Sequence, residues 1–272
     1  MDHENSLNGY CRIDNVTQEL HAHFHHMHEI ILVVEGAAEF LIGDAKYMAS
    51  APSIVFISSL ENHVIKVLKH PYKRYVITVS EEYSLFAIKN PVLASILLNR
   101  PESFRHVLSP DADTCLTLEY LAKHLLLELN IRDDFWMTTT SSLLISMLVQ
   151  LYRFNNDYFP VRQSSNAARI VLDIQQEVGE KCSEELSLDY FAKKHFVSKY
   201  YLCRIFKQIS GYNLKNYIVL HRINEAQKLL VSSSEPISEI GFKVGYLNVN
   251  HFIRIFKQHT GTTPMQYRKR QG

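Results

Sequence analysis

The sequence predicts an α+β chain of two domains. The first is a β-rich N-terminal domain with helices packed on it. The second is an all-α domain in which a long helix joins two helix-turn-helix units. Three observations carry this. Short β-prone runs fill residues 10–80, apolar periodicity turns helical near residue 84, and residues 201–267 contain a repeat. A length of 272 residues has room for about two domains, and an apolar share of 46% suffices for sizeable cores. The expected domains are 1–160, with its helical part at about 84–154, and 161–272.

Composition narrows the class. No run of ~18 uncharged apolar residues occurs, so no membrane span is expected. The start, MDHENSLNGY, lacks the basic residues and apolar stretch of a secretory signal. Cys11, Cys115, Cys182 and Cys203 show no C-x-x-C pairing and read as reduced thiols. The expected location is therefore the cytoplasm. Net charge is +1 overall but unevenly spread. Residues 166–272 hold 16 Lys+Arg against 9 Asp+Glu, a balance of +7, which leaves 13 against 19, or −6, for residues 1–165. That asymmetry points to a polyanion as partner of the C-terminal half.

The β-rich part comes first. EIILVVEGAAEFLIGDAKYMA is broken at Glu35-Gly36 and Gly43-Asp44, two hairpin signals, and SIVFIS, VIKVL and RYVITVS follow as further short strands. Such spacing favours a small antiparallel barrel or sandwich. Thr114 to Ile131 then reads as a helix with Leu118, Leu121, Leu125 and Leu129 on one stripe, and Phe135 to Phe154 as a second helix. Both are expected to pack on the β-domain, and part of this leucine surface is the candidate seam of a homodimer. NNDYFPVRQSS, residues 155–165, has no periodicity and reads as a linker.

The repeat pairs YLCRIFKQISGYNLKNY (201–217) with HFIRIFKQHTGTTPMQY (251–267) at a constant offset of 50. In the first copy Ser187 caps a short helix bearing Leu188, Phe191 and Ala192, and Ser198 caps a longer one whose buried face is Leu202, Ile205, Phe206 and Ile209. Gly211 stands where a helix C-terminus needs positive φ. In the second copy Ile237, Ile240 and Gly241 form the short helix. Asn248 caps the longer one, Phe252, Ile255 and Phe256 face inward, Gly261 ends it, and the turn holds one extra residue. Two short helices with a tight turn, the second capped and basic, are a helix-turn-helix, able to place the second helix in a DNA major groove. The units span about 187–210 and 236–260. The outward face of the first offers Ser198, Lys199, Tyr200, Cys203, Arg204 and Lys207, and that of the second Asn248, Val249, Asn250, Arg254 and Lys257. Arg bonds guanine bidentately, Asn does so to adenine, and helix starts attract phosphate. Between the copies, Asn213 to Ser232 reads as one helix with Val219, Ile223, Ala226 and Leu230 along a side. About 18 residues span ~27 Å, against ~34 Å between successive major-groove openings on one face.

ISEIGFKVGYLNVNHFIRIFKQHTGTTPMQYR resembles the second helix-turn-helix signature of AraC/XylS-type transcriptional regulators. Ile237, Gly245, Tyr246, Phe252, Arg254, Phe256, Lys257, Gly261, Pro264, Tyr267 and Arg268 fall on the pattern. Tyr217, Arg222, Ala226, Leu229 and Leu230 match the preceding part, so the resemblance covers about residues 166–270. It implies base contacts from Tyr200, Cys203 and Arg204, and from Val249, Asn250 and Arg254. The implied partners are promoter duplex, RNA polymerase and a small-molecule effector, a sugar or related metabolite. The implied role is activation, in a nucleoid-associated, non-enzymatic protein. Two departures stand out. Gly241 replaces the usual Ala, and Cys203 and Val249 replace polar readers, leaving apolar contact with thymine methyls.

HAHFHHMHE, His21 to Glu29, is the distinctive N-terminal stretch. In a strand, His21, His23, His25 and Glu29 have one parity. With Gly36 the run resembles the first cupin motif, and His63 stands where a second-motif histidine falls. Ala51-Pro52-Ser53 departs from the expected turn. The resemblance implies a cupin-like barrel with His21, His23, His25, Glu29 and His63 as effector-binding candidates. No cofactor is required. The alternatives are a divalent metal on His23, His25, Glu29 and His63, as in a metal-dependent cupin enzyme, or a histidine-rich metal or pH sensor.

Overall fold

The computed structural model describes residues 7–15, 19–23, 27–80, 83–84, 87–102, 104–154, 156–159, 166–181 and 183–271, side chains of 19–23, 270 and 271 excepted. The chain forms two compact units, Met1–Ala168 and Arg169–Gly272. No helix of the described residues is long and apolar enough to cross a membrane. Cys11, Cys115 and Cys203 are free thiols, and Cys182 lies outside the described residues.

The first unit is built on one seven-stranded antiparallel sheet. Its strands are β1 Leu7–Asp14, β2 Glu19–His23, β3 Met27–Ile42, β4 Ala45–Ser50, β5 Ser53–Ile57, β6 His63–Ser80 and β7 Val107–Leu108. The path runs β1-β6-β3-β5-β7, with β2 paired to β6 and β4 to β3. VIKVL and RYVITVS, expected as separate strands, are two halves of β6. Gly43-Asp44 does turn the β3–β4 hairpin, but Glu35-Gly36 is a bulge inside β3, opposite an irregular stretch of β6.

The bulge explains how so long a strand keeps one face inside. The core takes Ile31 and Val33 from the first half of β3 but Ala38, Phe40 and Ile42 from the second, an odd-to-even switch. β6 switches likewise, from Ile65 and Val67 to Tyr72 and Val76. An unpaired residue between the halves resets the two-residue alternation and bends the strand. Gly36 makes the bend at φ +81°, where a Cβ would lie 2.4 Å from the Lys69 carbonyl oxygen and 2.5 Å from that of Pro71. Both half-sheets thus line one core. The expected barrel is not closed among the described residues: β1 and β7 end the path unpaired with each other.

This unit also contains the helices α1 Pro91–Leu98, α2 Ala112–Ile131 and α3 Trp136–Phe154. Asp111 caps α2, accepting the Thr114 N–H at 2.8 Å. Leu118, Ala122, Leu125 and Leu129 are its buried residues, with Leu121 half-buried beside them. α3 buries Leu144, Met147, Leu148 and Leu151.

The second unit is helical: α4 Asn166–Lys181 enters it, then α5 Leu188–Lys194, α6 Lys199–Ser210, α7 Leu214–Ser232, α8 Ile237–Lys243, α9 Val249–Thr260 and α10 Pro264–Gln271. α5–α6 and α8–α9 are the two helix pairs expected from the repeat.

Candidate nucleic-acid interface

In the first head the Ser187 Oγ accepts the Tyr190 N–H at 3.2 Å and starts α5. The Ser198 Oγ accepts the Tyr201 N–H at 3.1 Å and starts α6. Gly211 ends α6 at φ +86°. Leu202, Ile205 and Phe206 are buried, and the Phe206 ring meets Tyr217 of α7 edge-on at 5.3 Å. α4 holds the head from behind: Glu177 accepts hydrogen bonds from the Tyr190 hydroxyl and the Lys194 ammonium, both at 2.6 Å. Burial pushes the Glu177 pKa up, but these bonds outweigh it and hold the carboxyl below its ordinary value.

The second head repeats the plan. Asn248 Oδ1 accepts the His251 N–H at 2.9 Å, and Gly261 ends α9 at φ +75°. Ile240, Val244, Tyr246, Phe252 and Phe256 share a core with Ile223, Ala226 and Leu230 of α7 and Tyr267 of α10. Gly241 has a packing reason: a Cβ there would lie 3.0 Å from the Phe252 ring. The Arg268 guanidinium donates to the carbonyls of Leu230 at 3.2 Å and Glu235 at 2.6 Å, tying α10 to this head. At 19 residues, α7 measures ~28 Å.

The turns correspond bond for bond. In the first, His195, Phe196 and Val197 N–H groups donate to Phe191, Lys193 and Ala192. In the second, Val244, Gly245 and Tyr246 donate to Ile240, Phe242 and Gly241. The offset here is 49, and it becomes 50 at the caps Ser198 and Asn248. The extra residue is therefore Leu247, which follows the Val244-Gly245-Tyr246 corner.

Of the eleven expected reading-face residues, Ser198, Lys199, Tyr200, Cys203, Arg204, Lys207, Asn248, Asn250, Arg254 and Lys257 are exposed, and Val249 is half-buried. Lys199 is ion-paired with Asp189 across the turn, and Arg204 lies over the Tyr201 ring at 5.8 Å. Sequence reading missed Phe196 and Leu247, which stand in solvent beside the caps. The change of offset was the signal for Leu247.

In the first unit, Glu29 and His63 meet: Nε2 of His63 is 3.6 Å from Oε2 of Glu29, with side-chain exposures of 1% and 5%. Glu29 shares the parity of Ile31, and His63 that of Ile65, so both face the common interior. β2 pairs His23 with His63 in register, and the backbone of His21 lies in the same strand. His25 lies outside the described residues. A second buried cluster joins Asp14 to Arg74 and Arg12, and the Arg74 guanidinium stacks on Tyr72 at 4.8 Å. Burial raises the Tyr72 pKa above its ordinary value.

Two capped helices on one strut, each presenting exposed basic and polar side chains, define a DNA-binding protein with two helix-turn-helix units. Residues 191–270 match the model of a helix-turn-helix domain family. The HTH-type transcriptional regulator YdiP of Escherichia coli K12 is 27% identical over 256 residues, covering 90% of this chain and 80% of YdiP. The regulatory protein SoxS of the same strain is 32% identical over 102 residues, 38% of this chain and 95% of SoxS. A structure of ToxT from Vibrio cholerae, with an unsaturated fatty acid bound, has the same two-domain fold. Its TM-score is 0.56 at 11% identity, covering 97% of this chain and 95% of ToxT. The chain belongs to the AraC/XylS family of transcriptional regulators.

Proposed function

We propose that this chain is a promoter-specific activator in which one molecule reads two adjacent major-groove segments. Tyr200, Cys203 and Arg204 make the base contacts of the first head, and Val249, Asn250 and Arg254 those of the second. Ser198, Lys199, Lys207, Asn248 and Lys257 hold phosphates. The observation that carries this is the pair of helices with like scaffolds and unlike outer faces on the shared α7. An asymmetric direct site for each monomer follows, not a palindrome read by one chain. In gel shifts, the chain should prefer its promoter over random duplex, with affinity falling steeply with salt. Equal binding to both duplexes sinks the reading.

The β-rich unit, in this reading, is a cupin-like effector domain. Its ligand is a small organic molecule, a sugar or related metabolite, held near Glu29 and His63, with His21 and His23 on the neighbouring strand β2 and His25 as the remaining candidate. The buried carboxylate–imidazole pair supports polar recognition there, and the fatty acid bound by ToxT supports a small-molecule role for the fold. A thermal-shift screen of metabolites on the full chain tests this, with Glu29→Gln as the variant that loses the response. Effector binding shifts the arrangement of heads or of the dimer, and RNA polymerase is the partner that reads the result.

The dimer seam lies on the outer face of α2. Leu116, Tyr120, Leu127 and Ile131 are exposed there, opposite the buried leucines. They are symmetric about the Lys123–His124 step, so an antiparallel second copy would set Leu116 against Ile131 and Tyr120 against Leu127 about a two-fold axis. Leu127→Glu should turn the dimer into a monomer by sedimentation velocity. A wild-type chain that sediments as a monomer overturns the seam.

A further inference from the structure

Each head carries one large apolar side chain that stands almost wholly in solvent at the junction of turn and reading helix. Phe196 is 95% exposed and Leu247 is 96% exposed. Phe196 occupies the left-handed corner, φ +54°, that Gly245 fills at φ +89° in the second head. A bulky side chain at positive φ is strained, and an aromatic ring left in water forgoes its burial. Glycine would remove both penalties there, as it does in the second turn. Leu247 is the one residue that the second turn adds before its cap, and it too is apolar and unburied. Strain and exposure on one residue, matched by an inserted apolar residue at the same junction, mark a surface kept for contact.

Phe196 borders a groove of about 520 Å³ lined by Asp189, Lys193, Val197, Ser198 and Lys199. The ring therefore stands beside Lys193, the Lys199–Asp189 ion pair and the cap of α6. Residues at the start of a reading helix touch base edges, so a side chain one or two positions ahead of the cap meets the strand that flanks that groove.

We propose that Phe196 and Leu247 are DNA-contacting residues, each laying its apolar surface on a deoxyribose edge beside the bases its own helix reads. In the first head Lys193 neutralises a phosphate beside that sugar, and Lys199 does so on the other side by exchanging its Asp189 partner for phosphate. The proposal rests on the two-headed DNA reading above and adds to each head a contact without charge and without hydrogen bonds.

The test uses the full chain and a duplex selected by it from a random pool, with Phe196→Gly, Leu247→Ser and Arg204→Ala compared. Phe196→Gly should leave Tm unchanged or raised, since strain goes and no packing is lost. It should raise Kd by ~5–10-fold, with the slope of log K against log salt unchanged because no phosphate contact disappears. Leu247→Ser should weaken binding similarly, through the second half-site. An unchanged Kd for both variants overturns the proposal. So does a loss of polymerase-dependent transcription at unchanged Kd, which would assign the pair to a protein partner. A lowered Tm for Phe196→Gly would overturn it as well, by revealing a packing role. Arg204→Ala separates the two levels: if it too leaves Kd unchanged, the two-headed reading fails, and if it alone weakens binding, only the present proposal fails.

Discussion

The two heads share a scaffold and differ wherever that scaffold leaves room. Phe206 and Phe256 are both fully buried, Gly211 and Gly261 both end their helices at positive φ, and both reading helices start from a side-chain cap. Yet Cys203 faces outward where the second copy has Ile253, Ile209 is replaced by His259, and α4 supports the first head through ionised Glu177. At the same offset α7 carries the fully buried Gln227. The copies coincide in the core aromatics, the terminal glycines and the exposed Arg and Lys of R-I-F-K-Q, and diverge at the first outward positions of the reading helices and in the helix behind each head.

The largest expected effect tests the shared part. Phe206→Ala and Phe256→Ala should each lower stability by ~3–5 kcal/mol in denaturant melts. Clearly unequal losses would show that the two cores are not equivalent. Gly245→Ala should lose ~3 kcal/mol, combining a positive φ with a Cβ placed 2.7 Å from the Ser183 carbonyl oxygen. Phe196→Ala at the matching corner should lose none, so similar losses would erase the contrast between the turns. Arg204→Ala and Arg254→Ala should each reduce discrimination between promoter and mismatched duplex by ~1–3 kcal/mol, each at its own half-site. Loss at the same bases from both variants would mean that one head does the reading.

The smallest effect concerns pH. Burial lowers the His259 pKa below its ordinary 6.5, so folding favours the neutral ring. Its contribution is intact above that value and is lost as pH falls through the lowered folded one. The Glu177 carboxyl is also depressed, from 4.5, so its support of the first head persists until pH falls well into the acid range. Acidification should therefore loosen α9 and α10 before α5 and α6, read by amide exchange. His259→Ile, copying Ile209, should remove the earlier step.

The second unit was largely legible because its signals are local. Caps, the glycines after the helices and the 3.6-residue stripes all act within a few positions, and the 50-residue offset aligned them. The first unit was less so. Glu35-Gly36 has the composition of a hairpin, and only pairing with Lys69 to Lys73, far along the chain, makes it a bulge. The motif spacing that singled out His63 brought it to Glu29, but the single strand expected over His21 to Glu29 is two, β2 and β3, so the parity that grouped Glu29 with His21, His23 and His25 does not carry across. The outward stripe of α2 escaped notice because leucines fill both faces, and periodicity alone does not say which one the sheet covers. Phe196 was silent because strain shows only in a dihedral angle.

α7 gives side chains to both cores, Tyr217 to one and Ile223, Ala226 and Leu230 to the other. It therefore works as a ruler cut in units of both length and angle. Removing one residue would shorten it by ~1.5 Å and also rotate one head by ~100° about its axis. In the proposed two-groove reading, the spacing between the half-sites of a promoter is thus written in the protein as a helical phase. A promoter that gains or loses a base pair between them cannot be followed by a small adjustment of the protein.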